Sequence, residues 1–340
     1  MGECDSHDRS SPPGSRAIPT PTRREQILSL TDLERGPGLE IAPLHRPIAL
    51  KSEWDVRYVD ITTTERLREH YADEASVPVE DIMEVDFPLT GPDGEIRRLA
   101  EVAKGDSPYA WVIASHVIEH VPDLITWLDD IATLLQDEGS LVLVVPDTRY
   151  SFDAYRPQTT VGQMLQAAHQ GDTVPSVRAV YDHFSTASEI TTQEAWSGND
   201  PGLDASRGHT EEETLTRLES AKAGEYIDCH VWTFRPSTFI DQINELGRLG
   251  LCDFVVETLR NTRPDDLEFF AVLRRLPRNR TTEEDTERRR RAKKKTNDSP
   301  ERFRPPPPST AVELSESERR LVERRRAVVR RTRRLLRRSR

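Results

Sequence analysis

His116, Glu119 and His120 are spaced as H-x-x-E-H. On one helix, residues three and four apart share a face. Two imidazoles and a carboxylate in that spacing would hold a zinc ion and activate its water. That chemistry needs a continuous helix. Here His116 follows directly on the apolar run Trp111–Ser115, and Pro122 stands just past His120. The string therefore straddles a strand end and a turn, a zinc peptidase is not expected, and no metal ligand is assigned. At a strand tip the same residues suit a different task. His116 and His120 are candidate catalytic residues, because an imidazole titrates near neutrality and can take the proton of an attacking hydroxyl. The alternatives are that the cluster positions a metal, or that Glu119 and His120 hold the following helix through hydrogen bonds.

The elements that must position these residues alternate. Apolar runs at 38–42, 55–60, 81–89, 109–115 and 139–147 read as buried parallel strands. Helical patterns at 63–72 and 123–136 separate some of them, the first with a Thr cap. After a region without a clean repeat, 148–235, come a helix at 239–251 closed by Gly250 and strands at 252–259 and 267–275. Too few residues separate those last strands for a parallel crossover, so they are expected to form an antiparallel hairpin. The expected fold is α/β, a doubly wound seven-stranded sheet, mostly parallel, whose last strand is antiparallel.

In such sheets the ligand lies beyond the carboxyl ends of the strands. The candidates there are Glu40, Ala42, Asp60, Asp86 and Ser115. Asp60 follows Glu40 by 20 residues, the usual gap between a first-strand loop and a ribose-binding acid. The alternative for Asp60 is a helix cap. Asp86 is expected to end the third strand and accept from an adenine amino group. The first loop, GLEIAPLHRPI, has no G-x-G-x-x-G. A pyrophosphate needs those glycines to approach a helix N-terminus, so a nicotinamide cofactor is disfavoured. Asp147, Arg149, Asp153 and Arg156 lie past the fifth strand and read equally as acceptor ligands or as an ion-pair network. His183, His230 and Trp232 fall in or just after the long insertion; Trp232 reads as a core residue.

Seven strands with a reversed last strand resemble the class I S-adenosylmethionine-dependent methyltransferases. The loop LEIAPLHRPI resembles the L-E-I-G-P-x-x-x-P of a methyltransferase group associated with glycosyltransferases and surface-polysaccharide synthesis, with Ala42 where that group has glycine. The likeness continues through VRYVDITTTERLREHY, the stretch 115–157, HVWTFRPSTF and LEFFAVLRR. It implies S-adenosylmethionine as cofactor, methyl transfer to a small-molecule or glycan acceptor such as a sugar hydroxyl, and a glycosyltransferase as partner. The added methyl of Ala42 makes an inactive partner module the rival expectation.

Hydrophobic residues make up 35% of the 340 residues, so polar segments are expected outside the core. Residues 1–280 carry 27 Lys and Arg against 49 Asp and Glu, whereas residues 281–340 carry 21 against 10. The expected organisation is a disordered segment 1–25, a methyltransferase domain 26–276 with an acceptor-side insertion 148–235, and a basic Pro/Arg-rich tail 277–340. The tail could meet an anionic surface, nucleic acid or lipid. Cys4, Cys229 and Cys252 show no paired spacing, which argues against a disulfide framework. With no apolar run long enough for a membrane span and no signal-peptide pattern, the cytoplasm is the expected compartment.

Overall fold

The computed structural model describes residues 21–198 and 201–297. Most of the expected N-terminal segment and of the basic tail lies outside the described residues. The strands are β1 (Gly38–Ile41), β2 (Val56–Asp60), β3 (Phe87–Pro88), β4 (Tyr109–Ser115), β5 (Leu135–Pro146), β6 (Phe254–Arg260) and β7 (Glu268–Arg275). They form one sheet in the order β3-β2-β1-β4-β5-β7-β6. β7 runs antiparallel to both β5 and β6, and the other pairings are parallel. The doubly wound, seven-stranded α/β fold expected from the sequence is the fold observed, including its closing hairpin.

The helices are α1 (Arg23–Leu28), α2 (Thr64–His70), α3 (Leu99–Val102), α4 (Leu124–Leu134), α5 (Val161–Gln170), α6 (Val177–Thr186), α7 (Thr192–Ser197), α8 (Leu203–Ser206), α9 (Glu211–Lys222), α10 (Pro236–Arg248) and α11 (Thr282–Asn297). Both faces of the sheet are covered, which is why its central strands read as unbroken apolar runs. On β4, Val112 and Ala114 join the core cluster beneath α4, α5 and α10, while Trp111 and Ile113 join the opposite cluster with Ile27 and Leu33. Gly38 on β1 is paired with Trp111 on β4. A Cβ on Gly38 would lie 2.1 Å from the indole ring, so glycine there is what lets the ring pack flat against the strand. The indole Nε1 donates to the carbonyls of Leu33 and Gly36 at 3.1 Å.

Local signals set the helix ends. Asp123 caps α4 by accepting the Thr126 amide at 3.0 Å. Pro236 opens α10, and Gly250 at φ +74° closes it, with the Leu251 amide donating to Leu246 O.

Three expectations are corrected. The third strand, expected over 81–89, shrinks to Phe87–Pro88, because proline cannot donate to a ladder and the strand lies at the sheet edge. Asp86 therefore precedes β3 instead of ending it. Ordered structure begins before residue 26: α1 starts at Arg23 behind a capping box of Thr22 and Glu25. The domain also runs past residue 276. α11 packs on β6, and its buried Arg289 donates to the carbonyls of Phe254 and Cys252 at 2.6 and 2.8 Å. The insertion holds α5 to α9 and closes on itself, since Asp147 at its start and Phe234 at its end form a parallel bridge.

Candidate active site

Strand order reverses between β1 and β4, so the crevice of the sheet opens there. Ile41 is paired with Ala114, which places Ala42 beside Ser115 at its mouth. Ala42 turns away with φ +53° and His116 with φ +55°. Both are in the left-handed region that glycine tolerates and other residues adopt at a cost.

Glu40 sits inside β1, 2% exposed. Its Oε1 accepts the Ile48 amide at 2.7 Å and its Oε2 the Ala49 amide at 2.8 Å. Burial pushes its carboxyl up to about 7 in spite of those amides. Glu40 thus ties down the loop after β1. Asp60 ends β2 and is buried; its Oδ1 accepts the Ile61 amide at 2.7 Å. Burial raises its carboxyl to about 6, against the pull of that amide. Asp60 is not a helix cap, for Thr63 holds the N-cap position of α2. Asp86 does not reach the tips: its Oδ2 accepts the Tyr58 amide at 2.7 Å and pairs with Lys51 at 2.7 Å.

The H-x-x-E-H string is not helical, as its setting implied. His116 follows β4 directly, and residues 118–120 form a turn. His116 Nε2 meets Glu268 Oε2 at 2.8 Å, and its Nδ1 lies 3.5 Å from Glu119 Oε1. Arg23 of α1 clamps the same Glu268 through two nitrogens, at 2.7 and 2.9 Å, and donates to Ser115 Oγ at 2.8 Å. Burial works to raise the Glu268 carboxyl, but its bonds to His116 and Arg23 outweigh it and hold it below the ordinary value.

His120 Nδ1 meets Asp228 Oδ1 at 2.9 Å. Burial works to lower the pKa of His120, yet the Asp228 hydrogen bond and the charge of Glu119 outweigh it, so it is raised. His230 arrives from the end of the insertion. Its Nδ1 meets Asp153 Oδ2 at 2.5 Å, and its ring lies edge-on to His120 with centroids 4.8 Å apart. Burial works to raise the Asp153 carboxyl, but His230 and Arg156 keep it low. His183 accepts the His230 amide at 3.2 Å, and burial pushes it down to about 3, which keeps it neutral.

The four charged residues after β5 therefore separate into two ion pairs. Asp147 takes Arg149 at 2.5 Å and the Thr262 hydroxyl at 2.7 Å. Asp153 takes Arg156 at 3.0 Å beside His230. Trp232 is a core residue, 1% exposed, donating to Val121 O at 2.6 Å. The structure thus gathers Ala42, Asp60, Ser115, His116 and His120 at one end of the sheet. Arg23, Asp153, Asp228 and Glu268 support them without having been singled out as a group, because their meeting depends on topology. Only the Thr22–Glu25 capping box gave a local sign of α1.

This strand order defines the Rossmann-like class I methyltransferase fold. A family model described as a methyltransferase domain matches residues 37–197, and the methyl donor of such a domain is S-adenosylmethionine. Solved structures match the chain only at low similarity. The mitomycin 7-O-methyltransferase MmcR is 11% identical at a TM-score of 0.34, over 74% of this chain and 52% of its own. The CcbJ methyltransferase from Streptomyces caelestis is 14% identical at 0.37, over 77% and 92%. The magnesium protoporphyrin IX methyltransferase ChlM from Synechocystis PCC 6803, with bound SAH, is 11% identical at 0.29, over 70% and 73%. The chain thus spans about half the length of MmcR. Comparison with curated proteins finds none that matches. Among the described residues no helix is long and apolar enough to cross a membrane.

Proposed function

We propose that the protein is a cytoplasmic enzyme that moves the methyl group of S-adenosylmethionine onto a hydroxyl of a sugar or polysaccharide precursor. One observation carries this reading. Asp60, inside the matched methyltransferase domain, presents a buried carboxylate at the tip of β2 that caps no helix. A carboxylate so placed accepts from both ribose hydroxyls of a nucleoside. S-adenosylmethionine supplies a methyl group activated by a sulfonium and brings no phosphate, in keeping with a first loop that lacks the glycine fingerprint.

The remaining residues divide the work. Glu40 fixes the loop at Ile48 and Ala49 and so sets one wall of the crevice. Ala42 and Ser115 flank the crevice between β1 and β4. His116, backed by Glu268, and His120, backed by Asp228, stand on the acceptor side. The hydroxyl must lose its proton as the new O–C bond forms, and this cluster takes up that proton's charge. Asp86 has no part, since Lys51 and the Tyr58 amide engage its carboxylate. The acceptor class rests on the likeness of the first loop and of residues 115–157 to enzymes associated with glycosyltransferases, the partner this reading favours. The arginine-rich tail is assigned to an anionic surface.

A second reading is favoured by Ala42. Its left-handed backbone carries a side chain where the group has glycine, which suits a weak or inactive module serving a glycosyltransferase. Calorimetry separates the two. An enzyme binds S-adenosylmethionine in the micromolar range and S-adenosylhomocysteine competes; a chain that binds neither is not a methyltransferase.

A further inference from the structure

We propose that Glu119, His120 and His230 form a binding site for a divalent first-row transition ion, with zinc the best fit. The Glu119 carboxylate carries the argument. It is fully buried, and neither oxygen has a hydrogen-bond partner. The polar side-chain atoms nearest it in the ion-pair geometry are His116 Nδ1 at 3.5 Å and His230 Nε2 at 4.0 Å. A carboxylate stripped of water and left without a partner is costly, and a cation beside it removes that cost.

The two histidines are arranged as metal ligands are. Each has its Nδ1 held by a carboxylate, His120 by Asp228 at 2.9 Å and His230 by Asp153 at 2.5 Å. Such a partner fixes the ring and its tautomer and leaves the Nε2 lone pair for an ion. Asp153 is in turn pinned by the buried Arg156, so the backing of His230 is itself rigid. The donor atoms of Glu119, His120 and His230 all lie within 4.8 Å of one another. Ligands on a tetrahedral zinc, at ~2.0–2.1 Å from the metal, are ~3.3 Å apart. The present limit exceeds that spacing by at most about 1.5 Å, which is the shift the three side chains make on binding the ion.

Two imidazoles and one carboxylate favour zinc or a neighbouring transition ion over magnesium and calcium, which take oxygen ligands. Three protein ligands also leave a fourth position open, the pattern of catalytic zinc. On the methyl-transfer reading above, the acceptor hydroxyl is the ligand for that position. Only the use of the ion rests on that assignment: a hydroxyl bound there loses its proton more readily. His120 is then a ligand, and His116, held by Glu268, is the imidazole outside the ion's ligand set.

The test uses the full chain, stripped with chelator and titrated with zinc and, separately, magnesium. Cobalt substitution reports geometry by its visible absorption. The expected result is one zinc per chain, no magnesium of comparable affinity and a tetrahedral cobalt spectrum. His230→Ala and Glu119→Gln should each remove that zinc, and Asp153→Asn should weaken it by about 10- to 100-fold. Circular dichroism checks folding; should the buried Glu119→Gln or His230→Ala fail to fold, the less buried His120→Asn decides in the same way. Zinc bound equally by wild type and folded variants, or not bound at all, overturns the site. Binding of S-adenosylmethionine is read in parallel by calorimetry. Loss of that binding with zinc retained overturns the methyl-transfer reading alone, and the reverse overturns the ion alone.

Discussion

Ala42 and His116 leave adjacent parallel strands with the same left-handed turn, at φ +53° and +55°. The pair opens the crevice between β1 and β4 by bending both chains away from the sheet at one level. His116 has a reason to bear the strain, since the turn aims its ring at Glu268. Ala42 has none of that kind; its side chain is a methyl group at an exposed position.

The strain at Ala42 gives a direct expectation. A left-handed L-residue costs about 1–2 kcal/mol, and glycine's looser unfolded chain takes back about 0.5–1 kcal/mol. Ala42→Gly should therefore stabilise the fold by about 0.5–1 kcal/mol, a rise in Tm of ~1–4 °C for a domain of this size. Affinity for S-adenosylmethionine should hold or tighten. A melting scan and one titration suffice, and a fall in Tm or a sharp loss of affinity contradicts the strain argument.

As the proposed ribose ligand, Asp60 should set a pH dependence on cofactor binding. Its carboxyl is raised by burial from 3.8 to about 6, so the folded protein holds this proton more tightly than the unfolded chain does. Stability from this group therefore declines as pH rises from about 4 to about 6. Accepting ribose hydroxyls requires the ionised form, so affinity should level off above about pH 7 and fall toward tenfold per unit below about pH 5. Asp60→Asn should bind weakly at every pH. A pH-independent wild-type affinity between 5 and 7 rules out Asp60 as the ribose ligand.

His116 and His120 should affect turnover more than cofactor affinity. Removing a group that manages the acceptor proton lowers rate by about 10²–10⁴. His116→Ala and His120→Ala are each expected to lower kcat within that range while the Kd for S-adenosylmethionine changes less than about threefold. If kcat survives both substitutions, the imidazole cluster is no part of the chemistry.

The fold was legible because it is written in periodicities. The runs ending at Ser115 and Pro146 are apolar on both faces, those ending at Ile41 and Asp60 are shorter and carry Glu40 and Arg57, and the short gap before β7 forced a hairpin. β3 was misjudged because Pro88 interrupts its ladder and little buried surface marks an edge strand. The candidate site was legible only where one strand tip carries it, as at the proposed positions Asp60 and His116. His230 meets Glu119 from 111 positions further along the chain, and no spacing rule links them; the closed excursion from Asp147 to Phe234 does. Arg23 was lost for a different reason: its polar neighbours read as disorder, and the capping box from Thr22 to Glu25 was passed over.

Glu268 joins α1 to the site and should show it in acid. Burial works to raise its pKa, but its bonds to His116 and Arg23 hold it below 4.5. A depressed folded pKa means stability present above the unfolded value and lost as pH falls through the folded one. Glu268→Gln should lower stability by about 1–2 kcal/mol at pH 7, as charge-assisted hydrogen bonds do. The gap to wild type should narrow below pH 4.5. Urea unfolding at pH 7 and at pH 3.5 measures both, and an equal gap at the two values removes the ionic role.

Gly38 tests the packing on which the crevice stands. The indole of Trp111 occupies the space a side chain would need, 2.1 Å from a built Cβ. The ring cannot retreat easily, because Nε1 is held by two carbonyls, at Leu33 and Gly36. Gly38→Ala should thus spread β1 from β4 and destabilise the domain by about 1–3 kcal/mol through overpacking. Because the crevice lies at the other end of the same two strands, cofactor affinity should fall as well. Gly38→Ala combined with Trp111→Phe, which frees that space and removes the indole N–H, should recover part of both losses. A Gly38→Ala protein as stable as wild type would show that the indole moves aside, and β1 would not be set by that ring.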